Sequence, residues 1–95
     1  MSKQTNDHQS QAEGLTFPCE YPVKAMGANK DDFHDEIYQC IKAHAPEVSK
    51  EGVQIKTSKN GKYLSVTVLV YAQSRDHLIA IYQDLRALDS VVWTL

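Results

Sequence analysis

The sequence predicts an α+β domain made of four strands and two helices, in the order strand, helix, strand, strand, helix, strand. Three observations predict this class. Apolar residues recur at helical spacing in two separate segments. An Asn60-Gly61 turn signal lies between two alternating apolar runs. The length of 95 residues leaves room for one small core.

The N-terminal segment, residues 1–14, is polar and has almost no large apolar side chain. Such a segment buries too little surface to offset its ordering entropy, so we predict a disordered tail followed by one domain at 15–95. It also lacks the apolar stretch of a secretory signal, and no later run is long enough to span a bilayer. We therefore expect a cytoplasmic protein without a membrane partner, in which the two cysteines are free thiols.

The first strand is predicted within residues 16–26. Pro18 and Pro22 cannot donate to a ladder, so regular pairing is expected from Val23 onward. A turn at residues 27–29 follows.

The first helix is predicted over residues 30–44. Asn29 is a suitable N-cap, and Asp31 and Asp32 then occupy the first turn, where the helix dipole favours acids. One apolar stripe runs along this helix, and Pro46 ends it. The stripe consists of Phe33, Ile37, Cys40, Ile41 and His44.

The middle of the chain predicts a β-hairpin with a two-residue type I′ turn at Asn60-Gly61. This turn pairs Thr57 with Leu64, Ile55 with Val66, and Val53 with Val68. Apart from Thr57 these side chains are apolar, and they share one face. The turn signal and the alternation are independent, and they agree on one register. The row Leu64, Val66, Val68, Val70 should face the helices, and the row Tyr63, Ser65, Thr67, Leu69, Tyr71 should face away.

A second helix follows Ser74, its predicted N-cap, and a short strand at residues 91–95 ends the chain. With right-handed crossovers this order is the ferredoxin-like βαββαβ two-layer sandwich. Both helices then lie on one face of a four-stranded antiparallel sheet, and the other face is open.

Cys40 and His44 are the only local pair that resembles catalytic or metal-binding chemistry. With Cys19 they would form a soft-metal or thiolate site, but both also belong to the apolar stripe, where a buried cysteine acts as a small hydrophobe. A reactive thiol needs an exposed, electropositive setting. The sequence therefore favours a structural role, no catalytic residues, no metal and no cofactor.

The turn before the first helix is a candidate ligand site. A helix N-terminus binds anions, yet Asp31 and Asp32 disfavour a phosphate there. A zwitterionic ligand fits better, with its ammonium near the acids and its carboxylate on backbone N–H groups. Ordinary helix capping explains the same residues.

The open face of the sheet is a second candidate site. RNA-binding domains of this topology carry stacking rings on that face, but here Ser65 and Thr67 stand where rings are expected, and ten basic residues are balanced by twelve acids. Nucleic acid is therefore the less favoured partner. The predicted interaction residues are Lys56, Tyr63, Leu69 and Tyr71, for which cross-strand packing is the alternative role.

Four runs carry a family resemblance: FPCEYPVKAMG at 17–27, HAP at 44–46, SKNGKYLSVTV at 58–68 and YQDL at 82–85. They resemble the YbeD-like proteins, small bacterial proteins of uncharacterised function, over residues 16–95. The resemblance implies a ferredoxin-like domain similar to the small-molecule-sensing ACT domains, and some members carry a lipoate regulatory protein label. ACT domains bind amino acids in the turn after the first strand, often at a subunit interface. The matching positions are Gly27, Asn29 and Asp31, although this chain lacks the usual Pro-Gly pair there.

These observations predict a non-enzymatic regulatory module that senses a small metabolite. The alternative is a protein-interaction or assembly module that docks through the open sheet face. A homodimer is compatible with either function.

Overall fold

The computed structural model describes residues 14–95. Within this range the strands are β1 Cys19–Ala28, β2 Val53–Thr57, β3 Tyr63–Ala72 and β4 Val91–Thr94, and the helices are α1 Phe33–His44 and α2 Arg75–Ala87. The strands form one antiparallel sheet in the order β2-β3-β1-β4. The predicted ferredoxin-like α+β class is thereby confirmed. The predicted tail, except its last residue Gly14, lies outside the described residues.

The core lies between the sheet and the two helices. The row of β3 predicted to face the helices is buried, as are the facing residues of β1, α1 and α2. Tyr38 of α1 is also in this core, and its hydroxyl donates to the Val48 carbonyl over 3.1 Å, so its polar end is satisfied. The largest fully buried side chains are Phe33, Ile37, Ile41, Ile81, Leu85, Val23, Val66, Val68 and Val70.

Pairing of β1 begins earlier than predicted, since Cys19 already pairs with Ala72 and Pro22 pairs with Leu69. The prediction of a start at Val23 was wrong because it assumed that Pro22 would remove a ladder bond. Lys24 exchanges backbone hydrogen bonds with Leu95 on the β4 side. Backbone groups alternate sides along a strand, so the nitrogen of Pro22 faces the same side, beyond the end of β4.

The β2–β3 hairpin has the predicted register. The observed pairs include Thr57 with Leu64, Ile55 with Val66, and Val53 with Val68. The agreement follows from the alternation of apolar and polar residues, because a slip by one residue would turn every apolar side chain of β2 to the other face.

The turn of this hairpin differs from the predicted type I′, which needs positive φ at both central residues. Among the described residues only Gly61 has a positive φ, of 78°. The Gly61 N–H instead donates to the Ser58 carbonyl, which makes Lys59 and Asn60 the central residues of the β-turn. The Asn60 side-chain oxygen accepts from the Ser58 hydroxyl and the Lys62 N–H, each at 3.0 Å, and stabilises this wider loop.

Helix α1 ends at His44 as predicted but begins later, at Phe33, with Asp32 as N-cap. The prediction that Asn29 caps this helix was wrong, because its side-chain N–H donates to the Gly61 carbonyl over 3.0 Å and ties β1 to the hairpin tip. Helix α2 has its predicted N-cap, since the Ser74 hydroxyl accepts from the His77 N–H over 3.1 Å. Neither helix of the described range is long and apolar enough to cross a membrane.

Candidate functional site

The open face of the sheet carries the four predicted interaction residues. Side chains alternate across a strand, so the residues of β3 between the buried ones point away from the helices. On this row the exposed fractions are 42% for Tyr63 and 47% for both Leu69 and Tyr71. Lys56 of β2 is exposed and pairs with Ser65 of the same row. The structure thus brings all four residues to one surface.

Strands β1 and β4 add residues to this face that were not predicted from the sequence. Trp93 pairs with Met26, so the two side chains share the open face, and Trp93 is 47% exposed. An irregularity in the β1–β4 register at Met26 and Gly27 leaves Val92 without a partner residue. Because of this irregularity, the alternation of side chains along β4 does not predict on which face of the sheet Trp93 lies. The face of Trp93 becomes clear only from its pairing with Met26, which is a contact between distant parts of the chain.

Apolar side chains occupy the two ends of the open face. At one end Leu69 pairs with Pro22, and Tyr71 follows along β3. At the other end lie Tyr63 and the pair of Met26 with Trp93. Between these ends, Gln54, Thr67 and Lys24 form a polar cross-strand row, and the exposed Leu95 lies beside Lys24 at its end. Lys56 and Ser65 belong to the next row, which continues to Met26.

Two adjoining hollows indent this face and share Lys24. The smaller one has a volume of about 220 Å³ and contains Lys24 and Lys56 without a carboxylate. Its other lining residues are Met26, Thr57, Ser58, Tyr63 and Ser65. The larger hollow contains Glu20 and continues toward Pro22 and Leu95. The smaller hollow therefore suits an anionic group flanked by apolar ones.

The three residues of the predicted turn site are not brought together around one cavity. Gly27 is buried, and a Cβ at its position would lie 2.3 Å from the Ser90 carbonyl oxygen and 2.6 Å from the Phe33 ring. Its role is to permit this close approach. Asn29 is engaged with the hairpin tip, and Asp31 is exposed in the turn before α1.

A separate cleft of about 300 Å³ lies next to this turn, at the start of α1. Its lining includes the acids Asp32, Glu36 and Asp89 together with Lys30, Phe33 and Ser90. The Ser90 hydroxyl donates to a Glu36 carboxylate oxygen over 2.6 Å, so one of these acids is already engaged. The charge of the cleft favours a cationic group over an anionic one.

Cys40 and His44 lie at the junction of α1 with α2, where both are only partly buried. Both were predicted on the core-facing stripe of α1. Cys40 does pack against the core, but the fully covered face of α1 runs through Phe33, Ile37, Tyr38 and Ile41. His44 Nε2 is 2.6 Å from an Asp84 carboxylate oxygen. Burial, and then the negative charges of Asp84 and Glu36, raise the pKa of the Cys40 thiol. The neutral thiol is a poor nucleophile.

Both ring nitrogens of His77 are engaged, and Nε2 joins α2 to the end of α1. Nδ1 accepts from the Gln73 N–H over 3.0 Å, and Nε2 lies 2.9 Å from the His44 carbonyl, to which it donates. In this pattern Nδ1 acts as an acceptor and Nε2 as a donor. Within residues 14–95 no three His, Cys, Asp or Glu side chains are placed to hold a metal ion.

Comparison with known proteins gives consistent matches over nearly the whole chain. Residues 12–95 match the model of a family described as a protein of unknown function, DUF493. A UPF0250 protein of Hahella chejuensis is 37% identical over 94% of this chain and 98% of its own length. A UPF0250 protein of Azotobacter vinelandii is 40% identical over 85% of this chain and 89% of its own.

The fold also matches a solved structure, the solution structure of protein HP0495 from Helicobacter pylori. The TM-score is 0.69 at 24% identity, and the match covers 85% of each chain. At that identity the likeness bears on the fold alone.

Proposed function

The chain belongs to the DUF493, or UPF0250, family of small bacterial proteins, which includes the YbeD-like proteins, and we propose that it is a non-enzymatic regulatory module of the cytoplasm. It acts by binding a protein partner through the open face of its sheet. The observation that carries this proposal is the exposure of four large apolar side chains on that one face. They are Tyr63, Leu69, Tyr71 and Trp93, with exposed fractions between 42% and 47%.

Grouped exposure of large apolar side chains is typical of interaction surfaces, whereas scattered exposure is ordinary. Aromatic residues dominate interface energetics because they bury much area while losing few rotamers. The two apolar ends of the face lie on either side of its polar middle. A partner segment that spans both ends would therefore pass over the lysine-lined hollow.

The charge of that hollow supports a carboxylate-bearing partner segment. Lys24 and Lys56 lie on strands on either side of β3 and border the same cavity. Ser65 and Tyr63, which also line it, add hydroxyl groups. An acidic side chain entering the hollow would meet two ammonium groups and would fix the register of its apolar neighbours.

The non-enzymatic part of the proposal is supported by the state of the one candidate nucleophile. The raised pKa of Cys40 keeps its thiol protonated near neutral pH, and the nearest base, His44, is paired with Asp84. A nucleophilic mechanism would need the opposite arrangement, in which a base withdraws the thiol proton at an exposed position.

Site-specific photocrosslinking in cells tests the docking surface. A photoreactive phenylalanine analogue at Leu69 should give a discrete protein adduct, and the same analogue at Ile79 should not. Ile79 is a matched control because it is 44% exposed but lies on α2. The adduct should weaken in a Lys24→Glu, Lys56→Glu background. The same adduct from both positions, or from neither, would contradict the proposal.

A small metabolite bound beside the turn after β1 is the second candidate. The supporting observation is the acidic cleft at the start of α1, which lies next to Asn29 and Asp31 and suits a ligand ammonium group. Titration of isotope-labelled protein with amino acids and with lipoate would test it by NMR. Shifts at Asn29 and Asp31 would support metabolite sensing, and unchanged spectra with every compound would eliminate this candidate.

A further inference from the structure

The open face of the sheet offers a partner side chains and no backbone groups. The four strands are hydrogen-bonded to one another in the plane of the sheet, so their N–H and carbonyl groups point sideways and not out of the face. An extended segment lying on this face would leave its own backbone groups without backbone partners. A helix satisfies its backbone groups internally and presents side chains alone. The face therefore suits a partner helix.

The dimensions of the face fit one helix. Neighbouring strands lie about 4.8 Å apart, so the axes of the outer strands β2 and β4 are about 14 Å from each other. A helix with its side chains is about 10–12 Å across. Tyr63 and Tyr71 are eight positions apart on β3, which corresponds to about 27 Å. A helix of about 18 residues has that length.

The apolar and charged positions of the face set the residue spacing of such a helix. Tyr63 and Leu69 belong to the two apolar ends and are about 20 Å apart along β3. Lys56 and Lys24 pair with the β3 residues two and four positions beyond Tyr63, so they flank β3 midway between these ends. Each half of the distance, about 10 Å, corresponds to about seven helical residues. Positions seven apart lie on the same side of a helix because they are separated by nearly two full turns.

Charge selects the residue at the centre of that helix. Within residues 14–95 neither Lys24 nor Lys56 forms an ion pair with a carboxylate. Glu20, by contrast, pairs with Tyr71, and it lies four positions from Lys24 along β1, a distance of about 14 Å. A partner carboxylate is therefore attracted to the middle of the face and repelled at the Tyr71 end.

We infer, resting on the proposed function, that the partner segment is an amphipathic helix of about 18 residues that lies along β3. Its centre carries an aspartate or a glutamate between Lys24 and Lys56. Large apolar residues about seven positions before and after this acid contact Tyr63 and Leu69 at the two ends of the face.

Photocrosslinking from the two ends of the face measures the conformation of the bound segment. A photoreactive phenylalanine analogue at Tyr63, and in a second protein at Leu69, should capture the same partner protein. Digestion and mass spectrometry then locate the two attachment points. A helix places them about 13 residues apart in the partner sequence, whereas an extended segment spans the same distance in about six residues. A separation near six, or attachment in two separate segments, would overturn the helix.

Failure of the helix is distinguishable from failure of the docking surface. If both ends capture one partner with the wrong separation, the proposed function stands and the helix is refuted. If neither end captures a partner, or if the analogue at Ile79 on α2 captures the same one, both are refuted.

The central acid is tested with a synthetic peptide of the mapped segment and the purified protein. Replacing the acid between the attachment points by its amide should weaken binding by about 2- to 30-fold in titration calorimetry, since the carboxylate contacts two lysines. A Lys24→Glu, Lys56→Glu variant should reverse this preference. A Lys42→Glu, Lys59→Glu variant has the same net charge but is altered outside both hollows of the open face, and it should keep the preference. A mapped segment without such an acid, or equal affinities of the two peptides for the wild type, would refute the central carboxylate.

Discussion

Replacement of Gly27 by alanine tests the close approach of β1 to the loop after α2. The added Cβ would lie 2.3 Å from the Ser90 carbonyl oxygen and 2.6 Å from the Phe33 ring, well inside van der Waals contact. The Ser90 oxygen belongs to the backbone, and Phe33 is 1% exposed, so neither can move freely. Overpacking of this kind costs about 1–3 kcal/mol, and the backbone contact places Gly27→Ala near the upper end.

Gly52 and Gly61 provide the controls. Gly52 has only the Leu69 Cβ at 3.9 Å from its own Cβ position, so Gly52→Ala should be neutral or stabilise by up to about 1 kcal/mol. Gly61 has open space around it but a φ of +78°, so Gly61→Ala should cost about 1 kcal/mol through backbone strain alone.

Urea unfolding followed by circular dichroism measures all three variants. For a domain of this size each kcal/mol also shifts the melting temperature by about 4–8 °C, so thermal melts give a second reading. The reasoning fails if Gly27→Ala is as stable as the wild type, or if Gly52→Ala loses as much stability as Gly27→Ala.

Three further predictions concern single contacts. Tyr38→Phe should cost about 1–3 kcal/mol in urea unfolding because the buried Val48 carbonyl loses its donor, whereas Tyr63→Phe on the open face should change little. The raised pKa of Cys40 predicts slow alkylation by iodoacetamide until the pH exceeds the ordinary thiol value of 9.0, and Asp84→Asn should move that rate profile to lower pH. The thiol ionises at lower pH in the unfolded chain than in the folded one. The stability that Cys40 contributes is therefore fully present below the ordinary thiol pKa and should be lost as the pH rises through the raised pKa of the folded thiol. An unfolding free energy that does not change with pH in this range would contradict the raised pKa. Asn29→Ala should lower stability by only about 0.5–1 kcal/mol but should speed amide hydrogen exchange at Asn29 and around the hairpin tip, and unchanged exchange would show that the Gly61 contact is not formed in solution.

Local patterns predicted the elements of the fold well. The β2–β3 register followed from alternation and a turn signal, and the N-cap of α2 followed from Ser74. Both depend on residues within a few positions of each other. The buried row of β3 followed for the same reason, since period two assigns every second residue to one face.

One failure is local: the hairpin turn is not type I′, because Ser58 and Lys62 hold the Asn60 side chain in a wider loop. The other failures involve partners that are distant in sequence. Asn29 did not cap α1, because the hairpin tip competes for its side chain. Pairing of β1 with β3 began before Val23, because the nitrogen of Pro22 faces the opposite side from β3 and the β1–β3 ladder needs no N–H from it. Tyr63 was predicted to lie on the open face, but Trp93 was not. The position of Trp93 depends on the strand order and on the irregular register between β1 and β4.

The candidate turn site was predicted from its local sequence, and only three-dimensional packing showed how its residues are used. Gly27 is covered by Phe33 and Ser90, which are 6 and 63 positions away in the chain. Asn29 and Asp31 border the turn but do not line the neighbouring cleft.

Trp93 gives the protein a built-in optical reporter. It is the single tryptophan of the chain, and it lies half-exposed on the open face beside Met26. Indole emission shifts to shorter wavelength when water is displaced from the ring. Any molecule that covers this end of the sheet should therefore shift the tryptophan emission of the unlabelled protein to shorter wavelength. A ligand in the cleft at the start of α1 should leave the emission spectrum unchanged.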